Sequence, residues 1–163
     1  MQNGSLLSRL WMRHQRILPH LRRATLISFI IPLILLDAFT YITLRDDVSA
    51  IIIGEIFQTL SFLPYVYTKD RRVGVAIFSI ALLIIFYVAG SRLVWAWILT
   101  YVIVADLTAA RKSKLALIQL SAFLLAQLIA GIPLLPVTFW TMFWGILSAS
   151  FGVLIRNTKD RLE

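Results

Sequence analysis

Six long apolar runs, separated by short polar segments, make up most of the chain. They cover residues 24–44, 48–68, 73–89, 93–110, 115–132 and 137–155. A helix that rises about 1.5 Å per residue needs roughly 20 apolar residues to cross about 30 Å of hydrocarbon, and the runs are close to that length. The pattern therefore predicts an all-α fold, a polytopic membrane helix bundle of about six transmembrane helices.

Lysine and arginine residues fall almost entirely on one side of this predicted bundle. Six spans would place fourteen of the sixteen basic residues on the same side, and only Arg45 and Arg92 on the other. Basic residues near helix ends are retained on the cytoplasmic side of a membrane. The charge distribution therefore predicts an even number of spans, with both termini in the cytoplasm.

The composition agrees with a membrane protein and explains the net charge. Hydrophobic residues make up 60% of the chain and charged residues only 15%, whereas a soluble domain is about half apolar and a quarter charged. The net charge of +8 is distributed over the predicted interfacial segments, where it would also favour anionic lipid headgroups. The predicted partner is the lipid bilayer, and no domain remains for nucleic acid.

Three segments follow from the spans and charges. Residues 1–23 form a basic amphipathic cytoplasmic arm, residues 24–155 the six-helix transmembrane domain, and residues 156–163 a cytoplasmic helical tail. A basic amphipathic stretch tends to lie in the headgroup plane. The arm is interpreted either as a topological anchor or as a lipid-sensing or partner-docking element.

Ionisable residues inside the predicted spans are candidates for function, because they are costly in hydrocarbon. Asp37 and Glu55 lie at matching depths, roughly 12 Å from the outer surface, on neighbouring antiparallel helices. Tyr41 and Gln58 lie one turn from them, and Arg92 is a possible counter-charge. The sequence allows two interpretations, a proton- or ligand-responsive site and a structural hydrogen-bonded pair that holds two helices together.

A third intramembrane acidic residue, Asp106, lies near the cytoplasmic end of the fourth span. Arg111 and Lys112 follow within about one and a half helical turns. We therefore expect Asp106 to be interfacial, within reach of one of them.

Small residues recur four positions apart in the last two spans, where Gly152 follows Ser148 at this spacing. Such stripes let helix backbones approach closely, within one chain or between two. They predict helix-packing positions and allow a homodimer. The positions are Ala122, Ala126, Ala130, Gly145, Ala149 and Gly152.

Catalytic chemistry finds little support in the sequence. Cysteine is absent, and the two histidines, His14 and His20, are six residues apart and cannot share a helix face. The chain has no phosphate-binding glycine loop, zinc-protease motif or nucleophile elbow. We therefore expect no enzyme activity, no cofactor and no metal site.

The layout resembles the membrane input region of bacterial sensor histidine kinases of the desaturase-regulator (DesK-like) and nitrate-response type. The features that carry the resemblance are a basic arm, short-looped spans, the basic turns Lys69, Asp70, Arg71, Arg72 and Arg111, Lys112, Ser113, Lys114, and a charged exit helix over 156–163. The phosphoacceptor helix and ATP-binding domain of that family do not occur in this sequence. The resemblance implies a homodimeric sensing module of a two-component system in the bacterial cytoplasmic (inner) membrane.

Two other classes remain open. A small non-enzymatic membrane subunit, such as an immunity protein, a scaffold or an accessory transporter component, would use the packing stripes to dock on a partner membrane protein. A transport component would need a midplane pocket. The sensing module, which passes a stimulus through its last helix to a cytoplasmic output, is the preferred hypothesis.

Overall fold

The structure, a computed structural model, describes residues 20–44, 48–89 and 97–162, except for the side chains at 37, 40–44, 48–52, 55, 89 and 162. Within these residues every element is helical, which confirms the all-α prediction, and the described part of each apolar run is helical to within a few residues of its ends, the first run as two helices. The helices are α1 (20–28), α2 (Ile30–Leu44), α3 (Val48–Tyr67), α4 (Arg71–Ala89), α5 (Trp97–Ala109), α6 (Ser113–Ile129) and α7 (Leu134–Leu162).

A turn at Phe29 separates α1 from α2 within the first apolar run. Pro32 has no N–H to donate to the carbonyl of Ser28, and its ring crowds that carbonyl. The chain forms a tighter turn there, in which the Phe29 N–H bonds the carbonyl three residues back, that of Leu26, at 3.3 Å. The result is a short basic helix, α1, before the longer apolar one.

The connection between α3 and α4 is short and tightly hydrogen-bonded. Thr68 ends α3 by donating its N–H to the carbonyl of Pro64 at 2.9 Å. The Asp70 carboxylate accepts the backbone N–H of Arg72 at 2.9 Å and so caps the start of α4. One turn later, a Cβ on Gly74 would lie 2.6 Å from the Cα of Tyr65. The missing side chain lets α4 cross α3 closely beside Tyr65.

Two helix ends use the same hydrogen-bond pattern with different residues. After α5 the Lys112 N–H bonds the carbonyl of Leu107 at 2.8 Å, and Arg111 takes a left-handed conformation with φ 60°. After α6 the Ile132 N–H bonds the carbonyl of Gln127 at 3.2 Å, with Gly131 at φ 79°. Both are Schellman turns, which favour glycine at the left-handed position. Arginine at that position in the first turn is a departure that carries strain.

Helix α5 is the central element of the bundle. It packs extensively on α6 and α7, while α4 packs on α3 and α6, and α2 packs on α3. No large hydrophobic side chain of α5 is exposed. Completely buried side chains form the core; the largest apolar ones are Phe62, Tyr65, Phe78, Leu33, Leu82, Leu99, Ile103 and Leu107.

The outer surface is apolar on α1 to α4, α6 and α7. Leu135 is 84% exposed and Val88 78%, and large apolar side chains are also exposed on the other four of these helices. Among the described residues, two helices are long and apolar enough to cross a membrane, over Arg71–Val88 and Leu134–Arg161. The six spans and their orientation stay predictions.

Candidate functional site

An acidic side chain on the central helix forms the main polar contact of the described chain. Both carboxylate oxygens of Asp106 accept hydrogen bonds from Arg22 on α1, Oδ1 from Nε at 2.9 Å and Oδ2 from Nη2 at 2.7 Å. This bidentate arrangement matches the planar fork of a guanidinium and gives the strongest kind of ion pair. It connects the basic helix α1 to α5.

Two more helices reach the same carboxylate. The Tyr65 hydroxyl on α3 donates to Asp106 Oδ2 at 2.6 Å, and Arg71 Nε at the start of α4 lies 3.6 Å from the same oxygen. The Arg22 guanidinium also lies over the Tyr65 ring, 5.6 Å from its centre. We call Arg22, Tyr65, Arg71 and Asp106 the polar cluster.

The polar cluster holds two cations and one anion in a mostly enclosed position. The Asp106 side chain is 14% exposed and that of Arg22 27%. Partial burial lowers the pKa of Arg22, but the hydrogen bonds and the negative charge of Asp106 raise it by more, so the pKa lies above its ordinary value. The guanidinium is therefore charged at any physiological pH, and the polar cluster has an excess of positive charge.

Asp106 pairs with Arg22 and Arg71, and not with Arg111, which the sequence places within its reach. Arg111 bonds Asp160 on α7 instead, with Nη2 2.9 Å from Oδ2. Asp106 points into the bundle, toward α1 and α3, because it lies on the enclosed helix. The sequence does indicate that Tyr65 and Asp106 can meet. Tyr65 precedes Lys69 by about one helical turn, much as Asp106 precedes Arg111, so the side chains of Tyr65 and Asp106 lie at a similar depth.

The contact between Arg111 and Asp160 attaches the polar end of α7 to the turn after α5. Its side chains are 70% and 45% exposed, so this ion pair lies at the surface. Arg111 holds its strained left-handed conformation while making it. Such strain persists where the surrounding structure fixes it and is common at functional positions. We call this pair the α7 tether.

A cavity of about 460 Å³ opens beside the polar cluster. Six of its eight lining residues are cationic, and no acidic side chain lies among them. They come from α1, from the end of α3 and the turn after it, from the start of α4, from the turn after α5, and from α7. We call this cavity the basic pocket; its cationic residues are Arg22, Arg23, Lys69, Arg71, Lys112 and Lys159, and Val66 and Thr68 complete it.

The intramembrane site predicted from the sequence falls mostly outside the described residues. This applies to Arg92 and to the side chains of Asp37, Tyr41 and Glu55. Gln58 is described and is completely buried on α3. The convergence of Asp37 and Glu55 therefore stays a prediction.

The small-residue stripes lie at contacts between helices of the same chain. A Cβ on Gly145 would come 3.0 Å from the Leu120 side chain, and one on Gly152 would come 2.3 Å from the Ala105 carbonyl oxygen. Ala126 is completely buried, whereas Ala122, Ala130 and Ala149 are half-buried. The close approach of α7 to α5 depends on the glycine at position 152.

Side-chain hydrogen bonds connect the helices away from the basic pocket. Ser79 on α4 donates to Oε1 of Gln119 on α6 at 3.0 Å, and Gln127 on α6 donates to Thr141 on α7 at 3.1 Å. Buried polar groups of this kind fix how neighbouring helices pack. They are structural contacts between α4, α6 and α7.

The polar cluster and the basic pocket are defined by their own geometry. The four residues of the polar cluster come from four helices and meet at one carboxylate, and the basic pocket brings six cations together. Comparison with protein-family models, with curated proteins and with solved structures gives no match to this chain.

Proposed function

We propose that this chain is a multi-pass membrane protein that crosses the bilayer six times with both termini in the cytoplasm, and that it works as a non-enzymatic sensing module. Its last helix, α7, carries the signal from the bundle to a cytoplasmic output. The observation that carries the proposal is the make-up of α7, an apolar helix that continues without a break into a charged end.

Membrane insertion is supported by the distribution of exposed side chains. Contiguous apolar surface on a soluble protein rarely exceeds a few hundred square ångströms, whereas here large apolar side chains cover the outside of six helices. The charges collect at the helix ends. Lipid is the solvent that such a surface needs.

The two shorter helices, α5 and α6, support a bundle that inserts as a whole. Helix α5 packs on both α6 and α7, and α6 packs on α4. Helices α4 and α7 are long enough to cross a membrane, and α5 and α6 pack in the same core as these two. All four helices should therefore lie within the bilayer. The basic pocket then lies at the cytoplasmic surface, because basic residues are retained on that side.

Signal transmission is supported by the length of α7. Its 29 residues extend about 43 Å, more than the roughly 30 Å of the hydrocarbon core. The apolar part, residues 134–155, accounts for about 33 Å, and the rest is charged. A shift of the membrane part therefore moves the charged end as one body, against the α7 tether.

Membrane topology is the first test. The chain has no cysteine, so single-cysteine variants report without background. Ser113→Cys and Thr158→Cys should react with a membrane-impermeant maleimide only after the cells are permeabilised, whereas Pro133→Cys should react in intact cells. Labelling of Ser113→Cys in intact cells would contradict the proposed orientation.

The sensing role predicts a homodimer. Cross-linking in the source membranes should give a species of twice 18.6 kDa or of twice a larger native mass. In the same membranes, Asp37→Asn together with Glu55→Gln should change the signalling response while leaving insertion intact. An unchanged response across pH and ligands would count against a role of these carboxylates in sensing.

One observation favours a second candidate, a subunit that docks on a different membrane protein. The outer face of α7 carries exposed aromatic side chains, Phe139, Trp140 and Phe143, which contact one another. Aromatic side chains are typical of binding surfaces. A cross-linked complex with another protein, and no homodimer, would select this candidate.

A further inference from the structure

We infer that the basic pocket binds a phosphate group, supplied either by the headgroup of an anionic lipid or by a small soluble phosphate ester. The inference depends on the proposed membrane insertion, since this sets the pocket at the height of the headgroups. It does not depend on the sensing role.

The size of the pocket fits such a ligand. Sites for small molecules measure about 300–1,000 Å³, and the basic pocket has about 460 Å³. It is therefore large enough for a phosphate with its attached glycerol or sugar, and for the waters that accompany it. Val66 and Thr68 add an apolar and a hydroxyl contact to its wall.

The charge of the pocket favours an anion, because its six cations exceed the single carboxylate, that of Asp106, which Arg22 and Arg71 share. Within the described part of the chain no carboxylate lies within ion-pair distance of Lys69 or Lys112. Like charges gathered in a concave surface repel one another and concentrate the field there. A dianionic or monoanionic phosphate relieves this repulsion, while a neutral ligand would not.

The donors also have the right chemistry and are already ordered. Arginine presents a planar fork that binds phosphate oxygens in pairs, and lysine adds a compact charge. Arg22 and Arg71 are held by Asp106, and Arg23 lies over the Tyr67 ring at 5.7 Å. Because these guanidinium groups are fixed before a ligand arrives, binding costs less conformational entropy.

The origin of the cations gives binding a structural consequence. Lys159 belongs to α7, one residue before the tether residue Asp160, whereas the other five come from α1, from the start of α4 and from the turns after α3 and α5. A phosphate in the pocket therefore connects the charged end of α7 to the rest of the bundle. Binding would favour the packing of α7 that the structure has.

The test uses the purified full chain in a neutral maltoside detergent. The probes are dioctanoyl phosphatidylglycerol, dioctanoyl phosphatidylcholine and glycerol 1-phosphate, each titrated by isothermal calorimetry. Lys69→Gln with Lys112→Gln removes two pocket cations. The matched control, Arg72→Gln with Lys114→Gln, removes two charges from the starts of the helices that follow the same two turns, outside the pocket lining.

The expected result is saturable binding of phosphatidylglycerol to the wild type and to the control, weakened at least tenfold in the pocket variant. Binding of glycerol 1-phosphate with the same loss would identify a soluble phosphate ester as a source; binding of phosphatidylglycerol alone would identify the lipid headgroup. The zwitterionic phosphatidylcholine should bind weakly to all three proteins.

Equal weakening in the pocket and control variants would overturn the inference, because it would show general charge attraction; so would the absence of saturable binding in the wild type. The single variant Lys69→Gln is measured as well. A melting temperature equal to that of the wild type excludes a folding defect as the cause of weaker binding. If cysteine labelling gives the predicted membrane topology but no pocket-dependent binding is found, this inference is refuted and the proposed function is not affected.

Discussion

Replacing Asp106 with asparagine tests whether the polar cluster holds the bundle together. The substitution keeps the shape of the side chain and removes its charge. Arg22 and Arg71 would then face each other near Tyr65 without the anion that they share. The amide oxygen can accept one of the former hydrogen bonds, but the guanidinium charges stay partly enclosed.

The magnitude follows from burial. Removing one partner of a buried ion pair costs about 3–5 kcal/mol, because the other charge is left uncompensated. Arg22 retains 27% exposure, so water screens part of its charge, and we expect a loss of about 3 kcal/mol. For a chain of this length that corresponds to a decrease in melting temperature of about 6–12 °C.

A matched control is available within the chain. Asp160→Asn removes the same charge from an ion pair of similar distance, 2.9 Å, in which the two side chains are 45% and 70% exposed. Surface pairs contribute about 0.2–1 kcal/mol. Thermal melting in neutral detergent, followed by circular dichroism, should therefore separate the two variants. Equal decreases for Asp106→Asn and Asp160→Asn would refute the reasoning from burial.

Three further substitutions have defined outcomes in the same melting assay. Tyr65→Phe removes one hydrogen bond to a charged group, about 1.5 kcal/mol, and should have little additional effect in the Asp106→Asn background. Gly152→Ala places a Cβ 2.3 Å from the Ala105 carbonyl oxygen, which forces α7 away from α5 and should cost about 1–3 kcal/mol. Arg111→Gly removes an exposed ion pair and about 1 kcal/mol of left-handed strain, so its melting temperature should be nearly unchanged. Arg111→Ala removes the ion pair but keeps the strain, so it should melt lower than both the wild type and Arg111→Gly.

The helices were predictable because the pattern of apolar residues has a single physical reading. Runs of roughly 20 apolar residues bounded by charges form helices whether lipid or protein surrounds them. The described part of each predicted run is helical to within a few residues of its ends, and only the first run is divided into two helices. The turn at Phe29 was not predicted, although Pro32 three residues later is a signal for it.

The arrangement of the helices was not predictable in the same way. All of the spans are apolar on every side, so hydrophobicity does not distinguish the enclosed helix α5 from the others. The position of α5 depends on close contacts such as the one that Gly152 permits. Such contacts involve residues far apart in sequence, and the spacing of small residues shows only that a close approach can occur.

The candidate site was likewise predictable only in part. The sequence identifies Asp106 as costly in a membrane and therefore as a candidate. It shows only that the nearby Arg111 and Lys112 lie within reach, because a single sequence gives no distance between helices. The structure brings Arg22 from 84 positions away, and this pairing follows from the order in which the helices pack. Conversely, the predicted pairing of Asp37 with Glu55 stays a prediction.

The two ion pairs near the basic pocket differ in strength, as the proposed movement of the last helix requires. The pair at Asp106 is enclosed and joins α1, α3 and α4 to α5, so salt screens it little and it fixes these helices. The α7 tether is exposed and therefore weak and sensitive to salt. A ligand can shift an equilibrium only by its difference in affinity for the two states. In the proposed sensing role, the tether would set a small difference in free energy between attached and released positions of α7, and an anion that contacts Lys159 would be enough to change it. If the basic pocket binds a phosphate as we propose, the end of α7 is therefore the part of the bundle whose position that ligand would control.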